Sequence, residues 1–414
     1  MKKTINTEFS GSRVLLYSHD TMGLGHLRRC RAIAHSLVEK YSNLSVLIIS
    51  GSPIIGSFDF KPRVDFIRIP GVIKLRNGEY TTLNLAIDVD ETISLRSSII
   101  KHTAEIFDPD VFIVDKEPMG LRGEVYETLK MLKSREKRLV LGLRDVLDAS
   151  ISLEPEWKRK NVLPALTKLY DEIWVYGLPQ IYEPLADLPL PKIVTSKITY
   201  TGYLKRSADK RPFSSRIPNY LKNGYLLVTT GGGGDGEDLI EWVMRAYESD
   251  PLLPYPALFV LGPFMQPDLQ EEFKKRCKKI DRAHAITFDS QMEDLESNAS
   301  GIIAMGGYNT FCEILSLDKK AIIVPRTFPR FEQYIRASRA EELGLIKMLD
   351  DNGKLDPKTM ASALRAMPRQ QIPSETIVPG LLEGLENVNR LIEPWLKKEK
   401  INKLNTNKVD LFKA

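Results

Sequence analysis

The sequence predicts an α/β fold: two doubly wound parallel sheets of similar size that face a central cleft. Three observations carry this. Short β-branched runs alternate with helix-period stretches along the 414 residues, the pattern of strands covered by helices on both faces. The runs fall into two series, separated by an aperiodic stretch rich in basic residues, Pro and Ser. Both series open alike, with a strand, a glycine-rich turn and a helix.

In the first series the expected strands are Val14–Tyr17, Val46–Ile49, Val64–Ile67, Val111–Val114, Leu139–Leu143 and Ile173–Val175. The second series comprises Tyr225–Thr229, Ala257–Leu261, Ala285–Thr287, Gly301–Ala304 and Ala321–Val324. Between them lies "ITYTGYLKRSADKRPFSSRIPNY" (198–220). The expected division is a first Rossmann-like domain at 1–200, a linker at 201–220, a second Rossmann-like domain at 221–390 and a basic tail at 391–414.

Composition sets the class. Hydrophobic residues make up 43% and charged residues 27%, ordinary globular proportions. No run approaches the ~18 apolar residues of a membrane helix. The N-terminal "MKKTINTEFSGSR" has no apolar segment that would read as a signal peptide. Cys30, Cys277 and Cys312 are odd in number, far apart and without metal spacing. They read as small core residues of a cytoplasmic protein. The net charge of +5 is mild. It permits an anionic ligand or peripheral contact with the inner membrane face, and does not call for nucleic acid. Six lysines of the excess lie in the tail from Lys397 on.

The glycine-rich turns suit ligands, because glycine lets the backbone come close and a helix start offers unpaired N–H groups. The first is "HDTMGLGHLRR". Gly23 and Gly25 fit a dinucleotide fingerprint, but Arg28 stands at its third glycine and the second strand ends "IISGSP" with no acid for a ribose. The second turn, "TTGGGGDGED", lacks the lysine of a P-loop. Gly232 and Gly233 there are either backbone contacts for a ligand or a tight turn into a helix favoured by its own acids. The class left is a nucleotide sugar or similar phosphorylated small molecule.

The densest group of candidate residues lies in "GIIAMGGYNTFCEILSLDKKAIIVPRTFPRFEQYIRASRAEELG" (301–344). A strand delivers Gly306 and Gly307, and a helix starts near Asn309 or Thr310. Glu313, one turn in, can accept both hydroxyls of a ribose; Thr310 and Glu313 are equally a capping box. Arg326, Arg330, Glu332 and Gln333 follow the next strand and reach the crevice. Glu332 and Gln333 suit sugar hydroxyls or, alternatively, cap their own helix.

The stretch "MGGYNTFCEIL…KKAIIVPR…FEQYIRASRAEELG" resembles the C-terminal, donor-binding domain of GT-B glycosyltransferases. It is most similar to the family 28 branch that contains the lipid II N-acetylglucosaminyltransferase. The resemblance covers roughly 284–348 and, more thinly, 14–37 and 109–120. It implies that Gly306, Gly307, Asn309 and Thr310 contact a donor diphosphate, Glu313 the ribose, Phe288 the base loop, and Glu332 and Gln333 the donor sugar. It also implies a UDP-sugar as substrate, no metal and no separate cofactor. The loop "MGLGHLRRC" resembles instead the nucleotide-sugar hydrolase of pseudaminic acid synthesis, in which water accepts the sugar.

The expected chemistry is inverting transfer of a hexose-type sugar to an acceptor hydroxyl. His26 is the candidate base, since imidazole titrates near working pH; its alternative is a helix cap or a phosphate contact. His19 and Asp20 share the loop. Asp115 and Glu117 leave a neighbouring strand and are expected to orient the acceptor. Arg28 and Arg29 are either solvated or face an acidic acceptor. Arg326 is expected to meet the leaving diphosphate. Hydrolysis, 2-epimerisation and a non-catalytic partner role are the alternatives.

Overall fold

The computed structural model describes residues 11–19, 25–74, 79–207, 218–232, 234–289, 291–328, 330–350 and 353–396. Its strands are β1 (Ser12–Ser18), β2 (Leu44–Ser50), β3 (Val64–Arg68), β4 (Val72–Lys74), β5 (Tyr80–Thr82), β6 (Val111–Asp115), β7 (Arg138–Arg144), β8 (Glu172–Tyr176), β9 (Ile198–Tyr200), β10 (Leu226–Thr229), β11 (Ala257–Val260), β12 (Ala283–Ile286), β13 (Gly301–Ala304), β14 (Ala321–Ile323) and β15 (Lys347–Met348). The helices are α1 (Gly25–Lys40), α2 (Val89–Phe107), α3 (Tyr126–Ser134), α4 (Ser150–Arg159), α5 (Leu163–Lys168), α6 (Lys192–Thr195), α7 (Glu237–Ser249), α8 (Pro267–Cys277), α9 (Met292–Asn298), α10 (Tyr308–Ser316), α11 (Glu332–Glu342), α12 (Pro357–Ala366) and α13 (Gly384–Ile392).

Two parallel sheets result, as the alternating pattern predicts. The first runs β3-β2-β1-β6-β7-β8-β9, the second β12-β11-β10-β13-β14-β15. In each, the order reverses beside the opening strand, between β1 and β6 and between β10 and β13. Ligands of open α/β sheets bind beyond the strand ends at such reversals. Both crevices therefore lie at the starts of the segments that follow β1, β6, β10 and β13.

Burial explains the elements. Every residue of β6, β10 and β13 is buried, so these runs are continuously apolar rather than alternating. Along α1, Leu27, Cys30, Ile33, Ala34, Leu37 and Val38 are buried, a stripe at helical spacing. One apolar layer is continuous from α1 and β1 across to α10 and β14, so the two domains share a core layer. All three cysteines are buried and none is in a disulfide, as their spacing predicts.

Four short strands escape the sequence pattern. β4 and β5 form a small antiparallel hairpin, Val72 opposite Thr82. β9 joins the first sheet's edge at Ile198 opposite Ile173, inside the stretch read from composition as connecting chain. β15 has two residues. Runs this short show no period, and pairing rather than propensity creates them.

The last helix crosses back. Tyr41 donates its hydroxyl to the Asn389 carbonyl at 2.8 Å, and Asn389 Nδ2 donates to Ser36 Oγ at 2.9 Å. Trp395 stacks on Trp174 with ring centroids 6.1 Å apart. The expected division at 390 falls inside this helix. Gly202 (φ 86°) permits the crossing, since a Cβ there would lie 2.4 Å from the Gly380 carbonyl oxygen. The tail from 397 lies outside the described residues.

Candidate active site

A cavity of about 280 Å³ opens where the two reversals face each other. Gly25, Arg28 and Arg29 reach it from α1, and Arg144 from the end of β7. From the second domain come Gly231, Gly232, Phe288, Gly306, Gly307, Asn309, Thr310, Arg326 and Gln333. Most of the expected donor-side residues are thus brought together. Gly23, Gly233 and Asp20 lie outside the described residues.

The floor is the start of α10. Gly306 (φ 79°) makes the turn; a Cβ there would lie 2.7 Å from Ile323 Cγ2. Nothing lies within 4 Å of a Cβ on Gly307. The helix begins at Tyr308 with Gly307 as its cap and no side-chain capping bond. This start is one or two residues earlier than expected, and the Thr310–Glu313 capping box does not form. The first N–H groups of α10 therefore face open space, as an anion requires.

Glu313 differs from expectation. It is fully buried and does not line the cavity. Arg28, from α1 of the other domain, covers it with Nη2 2.5 Å from Glu313 Oε1 and 2.8 Å from Glu293 Oε1. Glu296 lies beside them, and burial, with Glu313 next to it, pushes its carboxyl well above the usual carboxylate range. One cation thus ties two acidic helices of the second domain to the first. Arg28 is therefore not solvated. The sequence placed both residues at the cleft, but the pairing across 285 positions left no local signal.

His26 does not line the cavity; beside Gly25 and Arg29, which do, its Nδ1 lies 2.5 Å from Asp115 Oδ2. Arg29 Nε and Nη2 grip the same carboxylate at 3.0 and 2.6 Å. Burial would raise the Asp115 carboxyl, but Arg29 and His26 outweigh it and hold it well below the usual carboxylate range. Asp115 is 2% exposed, so it faces His26 rather than an acceptor, and Arg29, also buried, is equally not solvated. A carboxylate on Nδ1 favours the tautomer that carries its proton there and its lone pair on Nε2. His19 packs edge-on to His26 with centroids 5.5 Å apart. It is buried, which pushes its imidazole down to about 3, so it is neutral.

The remaining expected residues form an ionic rim. Glu332 is buried and pairs with Arg144 and, at 3.5 Å, with Arg326. Burial would raise its carboxyl, but Arg144, Arg336, Lys116 and Arg326 hold it at about 2. Gln333 Oε1 accepts from the Arg326 backbone N–H at 3.1 Å. Arg326 also pairs with Asp235, which neutralises the acid nearest the Gly231–Gly232 turn. Glu117 pairs with Lys160 at 2.8 Å, and Arg330 with Glu156 at 3.0 Å. Asn309 bridges the domains, donating to the Gly25 carbonyl at 3.2 Å and accepting from Arg206 Nη2 at 2.9 Å.

Sequence reasoning passed over Arg144, Arg206 and Arg336. Arg336 clasps Asp145 with two bonds of 2.6 Å and donates to the Gly306 carbonyl at 2.9 Å. Tyr203, from the connecting chain, donates to the same aspartate at 2.7 Å. Arg336 lies four residues after Glu332 on α11, and that spacing was the available signal. Among the described residues, no group of three or more His, Cys, Asp or Glu side chains converges as a metal site. Nor is any described helix long and apolar enough to cross a membrane.

Residues 225–372 match the glycosyltransferase family 28 C-terminal domain. No curated protein matches the sequence. Among solved structures, Phytolacca americana UGT2, complexed with UDP-2fluoro-glucose and pterostilbene, is similar with a TM-score of 0.61 at 12% identity, over 93% of this chain and 99% of that one. Acinetobacter baumannii MurG is similar with a TM-score of 0.56 at 13% identity, over 92% and 99%. A putative UDP-N-acetylglucosamine 2-epimerase from Listeria monocytogenes gives 0.61 at 14%, over 92% and 95%. These likenesses show the GT-B fold, two Rossmann-like domains about a cleft. The chain thus combines a family 28 C-terminal glycosyltransferase domain at residues 225–372 with a GT-B fold.

Proposed function

We propose that this protein transfers a hexose-type sugar from a UDP-sugar to an acceptor hydroxyl, with inversion and without a metal or other cofactor. The observation that carries the reading is the His26–Asp115 pair at the start of α1, across the cleft from the open start of α10. The similar structures include complexes with UDP-2fluoro-glucose and with UDP, which supports the uridine nucleotide as donor.

In this mechanism the donor diphosphate rests on the N–H groups of Gly307–Thr310 and beside Arg326, with Phe288 against the base. Glu332 and Gln333 hold the sugar, and Arg28, fixed by the buried Glu313, lines the cavity beside the nucleotide. His26 Nε2 removes the acceptor proton while the acceptor oxygen attacks the anomeric carbon. The bond from that carbon to the diphosphate oxygen breaks, and the departing charge is met by the helix start and Arg326. Attack opposite the leaving group inverts the centre. Asp115 stabilises the imidazolium as it forms. His19, Gly25 and Glu117 shape the acceptor side.

Incubation with UDP-sugars and a panel of acceptors, reading UDP release, tests the reading. UDP release that needs an acceptor supports transfer. Release at full rate without one indicates hydrolysis, and binding without turnover indicates a non-catalytic role. His26→Ala lowers turnover by about 10²–10⁴-fold if His26 is the base; retention within a few-fold removes it from that role. EDTA leaves turnover unchanged if no metal takes part. In calorimetry, Glu313→Ala weakens UDP binding by releasing Arg28, and unchanged affinity refutes a role for that pair in the donor site.

A further inference from the structure

A second cavity, also of about 280 Å³, lies outside the cleft where the connecting chain passes between the domains. One wall is the α1 face that carries Arg28, Arg31 and His35, at helical spacing. The loop through Asp59 and Lys61 forms another wall, and Lys205 and Arg206 of the connecting chain form a third. Five permanent cations face three carboxylates there.

The pairings leave charge over. Arg28 is held by Glu293 and Glu313, and Lys61 by Glu39. Among the described residues that line the cavity, Arg31, Lys205 and Arg206 are then left with Asp59 as their carboxylate. Arg31 Nε donates to the Asp59 backbone carbonyl at 2.9 Å, a bond to a neutral group. Burial lowers Arg31, and the Arg28 and Arg206 guanidiniums lower it further against the pull of Glu293 and Asp59. Arg206 is only 8% exposed. Its Nη2 bonds Asn309, but its Nε and Nη1 have no hydrogen-bond partner. A guanidinium buried with two donors unused is costly unless an anion completes it. His35 Nε2 accepts from the Lys61 backbone N–H at 3.3 Å, and burial with Arg31 and Lys61 pushes its imidazole down to about 4. It is a neutral wall at physiological pH.

We propose that this cavity is a second anion-binding site, for a small ligand carrying phosphoryl groups, separate from the nucleotide cleft. Guanidinium forks match phosphate oxygens two at a time, and here they come from α1 and from the connecting chain. The volume suits a small ligand rather than a full nucleotide sugar. The cavity is concave and Arg206 sits deep in it, which favours a free phosphorylated molecule over a lipid headgroup presented on a flat bilayer. Because the walls belong to the first domain, the connecting chain and α9 of the second, an occupant braces the two domains against each other.

Titration calorimetry of the full chain with inorganic pyrophosphate, with and without saturating UDP, tests this. The expected result is one pyrophosphate bound in the presence of UDP, weakened about 10-fold or more by Arg31→Gln and by Lys205→Gln. Both variants keep the wild-type UDP affinity and melting temperature. Absence of binding beside UDP overturns the proposal, as does binding that neither substitution changes. Should UDP itself fail to bind, the proposed donor is wrong, but the Arg31 and Lys205 dependence of pyrophosphate binding still decides this site. Sedimentation with phosphatidylglycerol vesicles is the parallel arm. Capture that depends on Lys205 without pyrophosphate binding assigns the charge to a membrane surface and also overturns the proposal.

Discussion

Substitution of Asp115 by asparagine separates two roles that this carboxylate holds at once. It keeps the shape of the side chain and removes the charge. Arg29, which is 2% exposed and bonded to Asp115 at 3.0 and 2.6 Å, then becomes an uncompensated buried cation. Breaking a buried pair from one side costs about 3–5 kcal/mol. In a domain of this size that lowers the melting temperature by roughly 6–20 °C. His26 also loses the group that orients its ring, and turnover falls by about 10²–10⁴-fold. The double variant Asp115→Asn with Arg29→Met distinguishes the two effects. It removes the stranded cation, so calorimetry shows much of the lost melting temperature restored. Recovery is partial, since Arg29 also lies over the Tyr308 ring, 5.3 Å from its centroid, a contact worth about 0.5–2 kcal/mol. UDP release stays at the level of the single variant. If turnover returns together with stability, Asp115 matters to the fold alone and the dyad reasoning fails. If the single variant keeps full turnover while folded, it fails more simply.

Further outcomes follow from the same geometry. Because burial and Glu313 push the Glu296 carboxyl well up, Glu296→Gln changes stability by less than about 1 kcal/mol in urea titration, whereas Glu313→Gln strands Arg28 and costs about 3–5 kcal/mol. Because His19 stays neutral in the fold to about pH 3 while the unfolded imidazole protonates near 6.5, the unfolded state binds the extra proton between these values. Stability therefore falls with acid through that window, by about 1.4 kcal/mol per pH unit for this one group, and His19→Asn flattens the melting-temperature profile between pH 6.5 and 4. Gly306→Val places a side chain on a backbone at φ 79° and against Ile323. It costs at least about 1–3 kcal/mol and abolishes UDP binding measured by fluorescence or calorimetry.

The sheets were legible because their central strands are continuously apolar, and a run such as Val111–Val114 has no other reading. The glycine turns were legible as ligand loops because Gly306 and Gly307 precede a helix. What was illegible is the ionic architecture. Arg28 to Glu313, Arg29 to Asp115 and Arg336 to Asp145 each join residues 86 to 285 positions apart. A charge at a cleft reads from sequence as free to meet a ligand, whereas burial demands a partner and supplies it from the far side of the fold. β9 reads from the sequence as connecting chain for a related reason. Its three residues acquire strand character only by pairing with β8.

The crossing of α13 onto α1 has a consequence for how the protein is made. Trp174 belongs to the first domain and is fully buried, yet Trp395, which stacks on it, emerges from the ribosome more than 200 residues later. The first domain is therefore synthesised with an apolar face that nothing yet covers. That face is covered only after the second domain has been synthesised, so the first domain does not complete its packing before the second is made.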